Sequence, residues 1–210
     1  MSPLQFQPGT KYQYSNAGIN TAGRIIEVVS GLSYEEFLQT RLFYPLGMKD
    51  TTFWPSDEQV TRLAKSYKPN EAKDNLEELT VGQLKYPLSD RTRYPMPAGG
   101  LFSTAEDLAH FMQMILNGGI LDGKRYLSED AVNVMTSKQT PPDVPDGYGL
   151  GWGTDGVHYG HGGAFSTNMN IDSQRGLITI WLVQHAGFPG NGDQSQGAFQ
   201  RAVEEILKPR

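Results

Sequence analysis

Cysteine is absent from the 210 residues of this chain. Disulfides, thiolate chemistry and cysteine-ligated metals are therefore excluded within it. Long apolar runs are missing too, and nothing approaches the roughly 20 residues of a membrane-spanning helix. No membrane segment is expected. A large excess of either charge is also lacking. With 18 basic and 23 acidic residues the net charge is −5, which gives no electrostatic footprint for nucleic acid or an anionic membrane. An anionic small molecule stays open, because a pocket needs only one or two local cations. No basic, apolar leader opens the chain. Met1-Ser2-Pro3-Leu4-Gln5-Phe6 reads as the interior of a domain, so a missing upstream part is expected and the N-terminus carries no address.

Turn formers are plentiful, with 24 glycines and 13 prolines. The hydrophobic fraction of 38% is low for a globular protein, yet too well patterned for disorder. Ile19, Ala22, Ile25, Ile26 and Val29 recur at helical spacing after a Pro8-Gly9 turn, and Gly31 is a suitable stop. Ser33 with Glu36 has capping-box spacing ahead of Phe37, Leu38 and Leu42. Residues 55–95 are polar and broken by prolines, with a short helix conceivable near 56–65. They read as a long excursion suited to a substrate-facing wall. The clearest helix follows residues 97–104, capped by Ser103 with Glu106 or by Thr104 with Asp107. Leu108, Phe111, Met112, Ile115 and Leu116 share its face, and Gly118-Gly119 ends it. A further short helix is expected over about 128–136.

The period then changes. Residues 148–153, 157–164, 165–171 and, most strongly, 177–184 read as strands. A last helix places Phe199, Ala202, Val203, Ile206 and Leu207 inward, started by Asp193 with Gln196 or by Ser195 alone. Residues 1–145 are thus mainly helices and loops, and 146–210 are sheet strands plus a C-terminal helix. This order has no βαβ units and predicts an α+β fold, not a Rossmann type.

Three short segments could carry chemistry: Tyr14-Ser15-Asn16 before a helix, Ala98-Gly99-Gly100 before another, and His161-Gly162-Gly163-Ala164 beside a strand. Each has an ordinary structural explanation. Tyr14 is a half-buried aromatic on that view, Asn16 a helix cap, the glycines a turn, and His161 a packed histidine. His158 and His185 form no metal motif with His161. The glycines of 187–194 lack the Gly-Lys-Ser/Thr ending of a phosphate loop. His110 reads as a surface or half-buried residue. Trp152 and Trp181 read as packing in or against the sheet.

The stretch PGTKYQYSNAGINTAGRIIEVVSGLSYEEFLQTRLFYPLGMKDTTF resembles the β-lactamase and penicillin-binding-protein group of serine hydrolases, of esterase and D-aminopeptidase type. Tyr14-Ser15-Asn16 matches that family's Tyr-x-Asn, and His161-Gly162-Gly163 matches its Lys-Thr-Gly or His-x-Gly. PAGGLFSTAEDLAHF is similar to its glycine-rich turn and following helix. The resemblance covers nearly all of 7–207. It implies a β-lactamase/transpeptidase-like fold, an antiparallel sheet flanked by helices, and a small-molecule acyl substrate. No cofactor is implied, and the compartment implied is periplasmic or extracellular.

One departure stands out. The family carries Ser-x-x-Lys upstream of the Tyr motif, and no serine here has a lysine three positions on. The resemblance therefore implies the C-terminal part of a longer domain. In a complete site Tyr14 would accept or relay the serine proton, and Asn16 would orient the lysine and substrate. His161 would donate to the Tyr oxygen or a substrate carbonyl or carboxylate. Gly162 and Gly163 would admit the substrate, and the Ala164 N–H would be the second oxyanion donor. Three readings follow: an enzyme fragment inactive alone, a binding or structural protein without a nucleophile, or one half of a split enzyme. A missing segment also predicts self-association or recruitment of a complementing piece, with Leu108, Phe111, Ile115, Ile25 and Ile26 as the uncovered set.

Overall fold

Ser15 starts the first helix of the computed structural model, which describes residues 3–82, 84 and 87–207. Its backbone is extended, and its Oγ accepts the Gly18 N–H at 3.2 Å. This satisfies one of the free donors at the start of α1 (Asn16–Ser30). The cap is thus Ser15 rather than Asn16. Gly31, at φ 72°, ends the helix and returns its N–H to the Glu27 carbonyl. The face expected inward is mostly outward. Gly23 is buried and Ile26 half-buried, whereas Ile25, Val28 and Val29 are 57%, 68% and 82% exposed. The cause is close packing on the loop at 96–98. A Cβ on Gly23 would run into the Pro97 ring, and Asn20 Oδ1 accepts the Ala98 N–H at 3.0 Å.

The capping box of Ser33 and Glu36 forms, opening α2 (Tyr34–Leu38). One wide π turn, Gln39–Phe43, extends it and delivers Phe43, Leu46 and Met48 to the core. The excursion after Thr52 has more order than the sequence suggested. Ser56 and Gln59 box the start of α3 (Asp57–Arg62). A hairpin follows, β1 (Tyr67–Pro69) with β2 (Leu76–Glu78), closed by Lys65–Glu78 and Lys68–Glu77 ion pairs at 2.7 and 2.9 Å. Its Tyr67 exchanges hydrogen bonds with the backbone of Gln184 and Ala186, which ties this wall to the segment leaving the main sheet.

Of the two caps offered for the clearest helix, α4 (Ala105–Leu116), Thr104 is used: its Oγ1 accepts the Asp107 N–H at 3.2 Å. The buried Asp107 carboxylate reaches across instead of back, taking the Asp50 N–H at 2.8 Å and the Thr51 hydroxyl at 2.7 Å. The pairing of Thr52 with Phe102 runs alongside. After α4 comes a tight hairpin, β3 (Ile120–Leu121) and β4 (Lys124–Arg125). Asp122 and Gly123, both at positive φ, form its turn. Helix α5 (Glu129–Thr136) is capped by Ser128.

The main sheet is a four-stranded antiparallel meander. Its strands are β5 (Gly153–Thr154), β6 (His158–Gly162), β7 (Asn168–Asp172) and β8 (Leu177–Trp181), in that spatial order. Three strand expectations shift. Residues 148–152 form a turn, with only a bridge from Tyr148 to Gly153. Residues 163–167 form the β6–β7 turn, so β7 starts at Asn168. β8 stops at Trp181 because its partner runs out at Asn168. Helix α6 (Ser195–Ile206) begins after a short turn at 192–194, and no side chain caps it. Phe199 packs on Trp181 with ring centroids 5.2 Å apart, but Ile206 and Leu207 face solvent, contrary to the expected inner face. The core joins Met112, Met114 and Ile115 of α4 to Trp152, Tyr159 and Ile171. Of the side chains expected to be uncovered, Ile115 is 1% exposed, Leu108, Phe111 and Ile26 are half-buried, and Ile25 is exposed.

Candidate active site

His161 is placed by β6, opposite Met169 of β7. Both ring nitrogens have partners: Nδ1 lies 2.6 Å from the Gly162 carbonyl oxygen and Nε2 lies 2.9 Å from the Tyr148 hydroxyl. Tyr148 is held by its backbone on both sides. Before it the Gly147 carbonyl accepts the Thr154 N–H, and after it the Tyr148 carbonyl accepts the Gln139 N–H. A Cβ on Gly149 would strike the Met135 carbonyl, so only glycine lets this turn lie so close to α5.

Tyr14 comes from the segment before α1, yet its ring centroid is 5.8 Å from that of His161. Tyr14 is 50% exposed, so its hydroxyl is reachable. Two residues earlier, the Tyr12 ring lies 4.9 Å from that of Tyr148. Burial pushes the Tyr148 phenol up to about 12, aided by the neighbouring Tyr12 and Tyr14. Tyr12 is raised as well, first by burial, with the Tyr14 and Asp146 charges contributing. Charging these phenols is thus disfavoured, and Tyr12 and Tyr148 act as neutral donors. Asn16 stands exposed at the first turn of α1. Among the described residues no contact joins it to His161.

Past His161 the strand ends in a tight turn. The Gly163 N–H donates to the Thr167 carbonyl at 2.8 Å and the Ser166 N–H to the Gly163 carbonyl at 3.1 Å. Ser166 takes up the left-handed conformation at φ 63°. The two glycines differ in their reason for being glycine. A Cβ on Gly162 would meet only ordinary contacts at 3.7 Å, whereas one on Gly163 would collide with the Thr167 hydroxyl. A Cβ on Gly163 would need the Thr167 hydroxyl to turn away, while Gly162 leaves the strand face open. Ala164 is exposed at the turn's corner, and among the described residues no acceptor takes its N–H. The cluster is thus Tyr14, Tyr12, Tyr148 and His161, with Gly162 to Ala164 on its rim. Tyr12 and Tyr148 carry no motif. Their one signal in sequence is the Tyr12-x-Tyr14 spacing, which can put both rings on one side of an extended segment. His185 lies elsewhere, on the segment after β8, with Nδ1 at 2.7 Å from the Gly187 carbonyl.

A family model described as Beta-lactamase matches residues 2–201. This chain belongs to the beta-lactamase family. The family is of serine acyl-hydrolase type. Protein Rv1367c of Mycobacterium tuberculosis is 30% identical over 209 residues, covering 87% of this chain and 51% of its own length. A putative D-alanyl-D-alanine carboxypeptidase of Salmonella paratyphi B is 28% identical, covering 86% and 47%. The chain thus spans about half the length of the curated relatives it matches. Among solved structures, unliganded simvastatin synthase (LovD) from Aspergillus terreus superposes with a TM-score of 0.82 at 20% identity, covering all of this chain and 59% of that one. A penicillin-binding protein from Bacillus halodurans gives 0.71 at 20% identity, covering 98% and 60%. The fold is accordingly the β-lactamase/transpeptidase fold, represented in part.

Proposed function

We propose that this chain of the beta-lactamase family carries the substrate-side half of a serine acyl-transfer site and is catalytically silent alone. The observation that carries the reading is the Tyr14 ring at 5.8 Å from His161. Two residues far apart in sequence, each matching a family motif, lie side by side. In the reaction a serine Oγ bonds to the acyl carbon and the bond to the leaving group breaks. The serine proton passes to the Tyr14 oxygen and on to the leaving group. Tyr14 needs a lysine beside it to hold its ionised form, since a free phenol has a pKa of about 10. Asn16 orients that lysine and the substrate amide. The Ala164 N–H stabilises the oxyanion together with the nucleophile's own N–H. No serine in these 210 residues has a lysine at the third following position, so the nucleophile comes from a Ser-x-x-Lys segment outside them.

The test is covalent labelling with a fluorophosphonate and with a fluorescent penicillin. The chain alone should take up neither. Mixing it with the separately expressed N-terminal segment of a longer relative should produce labelling on the supplied serine. That labelling should fall at least about hundredfold with Tyr14→Phe, the scale of a lost general base. Stoichiometric labelling of a serine in the isolated chain would overturn the reading.

A further inference from the structure

We propose that Tyr148, backed by Tyr12, is a positioning residue that holds His161 in the Nδ1–H tautomer, and that the cleft so formed takes an uncharged acyl group rather than a free carboxylate. A carbonyl oxygen can only accept, so the 2.6 Å contact between His161 Nδ1 and the Gly162 oxygen puts the ring proton on Nδ1. In the neutral ring Nε2 is then a bare lone pair. The atom facing it at 2.9 Å is the Tyr148 hydroxyl, which must be the donor. The Tyr12 ring packs on that of Tyr148, with centroids 4.9 Å apart, and backs it from the other side. Two groups therefore point their donors one way, from Tyr148 to His161 to the Gly162 carbonyl. Tyr148 suits this task because its backbone is pinned from both sides.

The consequence concerns selectivity, and this half rests on the acyl-transfer reading. With both nitrogens engaged, His161 has no N–H to offer a substrate carboxylate. The surrounding wall is aromatic, made of Tyr12, Tyr14 and Tyr148. The charge of Asp146 is felt at Tyr12 and opposes a second anion. Lys11, next to Tyr12 in the chain, is exposed. An ester or amide flanked by apolar groups meets none of these penalties.

Long-range proton–nitrogen correlation spectra of the labelled chain, recorded about two pH units above the ordinary imidazole value of roughly 6.5, read the tautomer directly. His161→Gln identifies the signals. In the unsubstituted chain the Nδ1–H form should dominate by about tenfold, the scale of one hydrogen bond. Tyr148→Phe keeps the ring but removes the donor, and should cut that ratio below about threefold. Tyr12→Ala removes the ring packed on Tyr148 and should move it the same way and less far. A dominant Nε2–H form in the unsubstituted chain, or an unchanged ratio in a folded Tyr148→Phe, overturns the positioning role. Should Tyr148→Phe fail to fold, the unsubstituted ratio and Tyr12→Ala decide. Titration with methyl benzoate and with sodium benzoate then tests selectivity. The ester should shift the His161 signals, benzoate should not, and Tyr148→Phe should gain a response to benzoate. Equal shifts from both probes overturn the selectivity. Silence from both overturns the acyl-group half together with the functional reading, while the tautomer ratio still decides the role of Tyr148.

Discussion

Asp155 shows how a single carboxylate organises a turn. Its Oδ1 accepts the N–H groups of Val157 and His158 at 2.8 and 2.7 Å, and its Oδ2 meets His158 Nδ1 at 2.9 Å. The His158 N–H bond is the largest cause that lowers Asp155 to about 2, and Asp155 in turn raises His158. The signs differ. The depressed carboxylate contributes stability above its ordinary value of 3.8, lost as pH falls towards 2. The raised imidazole contributes below its ordinary 6.5, lost as pH rises through its folded value. The turn is therefore held best between those two ordinary values. His158 should titrate above a free imidazole by NMR, and Asp155→Asn should bring its midpoint down. The pair is exposed, so the stability change should stay below about 1 kcal/mol. Residues of this kind are half legible in sequence. Tyr14 and His161 stand out through motifs, because their neighbours in the chain are fixed. Tyr148 and Tyr12 do not, because a three-dimensional turn selects them. Gly163 is legible as a motif glycine, but its close approach to the Thr167 hydroxyl is not.

Elements were legible where their signal is local. Ser33 with Glu36 opens α2 and Thr104 caps α4, because each cap is complete within four residues. The β3–β4 hairpin had such a signal in Asp122-Gly123, between two pairs of paired residues, and went unassigned. The strand expected over 165–171 slid because Ser166, a non-glycine at φ 63°, gives no warning that it turns. The burial of α1 was illegible for the opposite reason. A 3.6-residue apolar stripe predicts an inward face only if something covers it, whereas Gly23 against Pro97 selects another face. Asp107 carries the clearest consequence at this scale. It links α4 to the Asp50–Thr51 segment through two hydrogen bonds from a buried carboxylate. Asp107→Ala strands the Asp50 N–H, while the Thr51 hydroxyl keeps Ser103 Oγ at 2.7 Å as a partner, so unfolding free energy should fall by about 1–3 kcal/mol. The helix cap survives, since it uses the Asp107 backbone N–H. Asp107→Asn keeps an acceptor oxygen and should lose less than half as much in urea denaturation. Equal losses for the two variants would show that side-chain bulk, not hydrogen bonding, holds the junction.

For the molecule as a whole, the telling feature is α1. Ile25, Val28 and Val29 fall on one stripe of α1, exposed by 57%, 68% and 82%, and Leu32, just past the Gly31 stop, is 39% exposed. Scattered exposed apolar residues need no explanation, but a continuous stripe marks an interaction surface. The superposed LovD chain is much longer, this chain accounting for 59% of it. Covering three large aliphatic side chains is worth roughly 1.5–3 kcal/mol each, against a total stability of about 5–15 kcal/mol for an ordinary domain. The isolated chain should therefore associate with itself through this face. Sedimentation across a concentration series should show a weight-average mass that rises with concentration, and Val28→Glu with Val29→Lys should hold it at the monomer value. Hydrogen exchange should slow along 24–32 as association proceeds, while 105–116, already packed in the core, stays unchanged. A concentration-independent monomer with full protection along α1 would mean that the stripe needs no partner, and the expectation would fail.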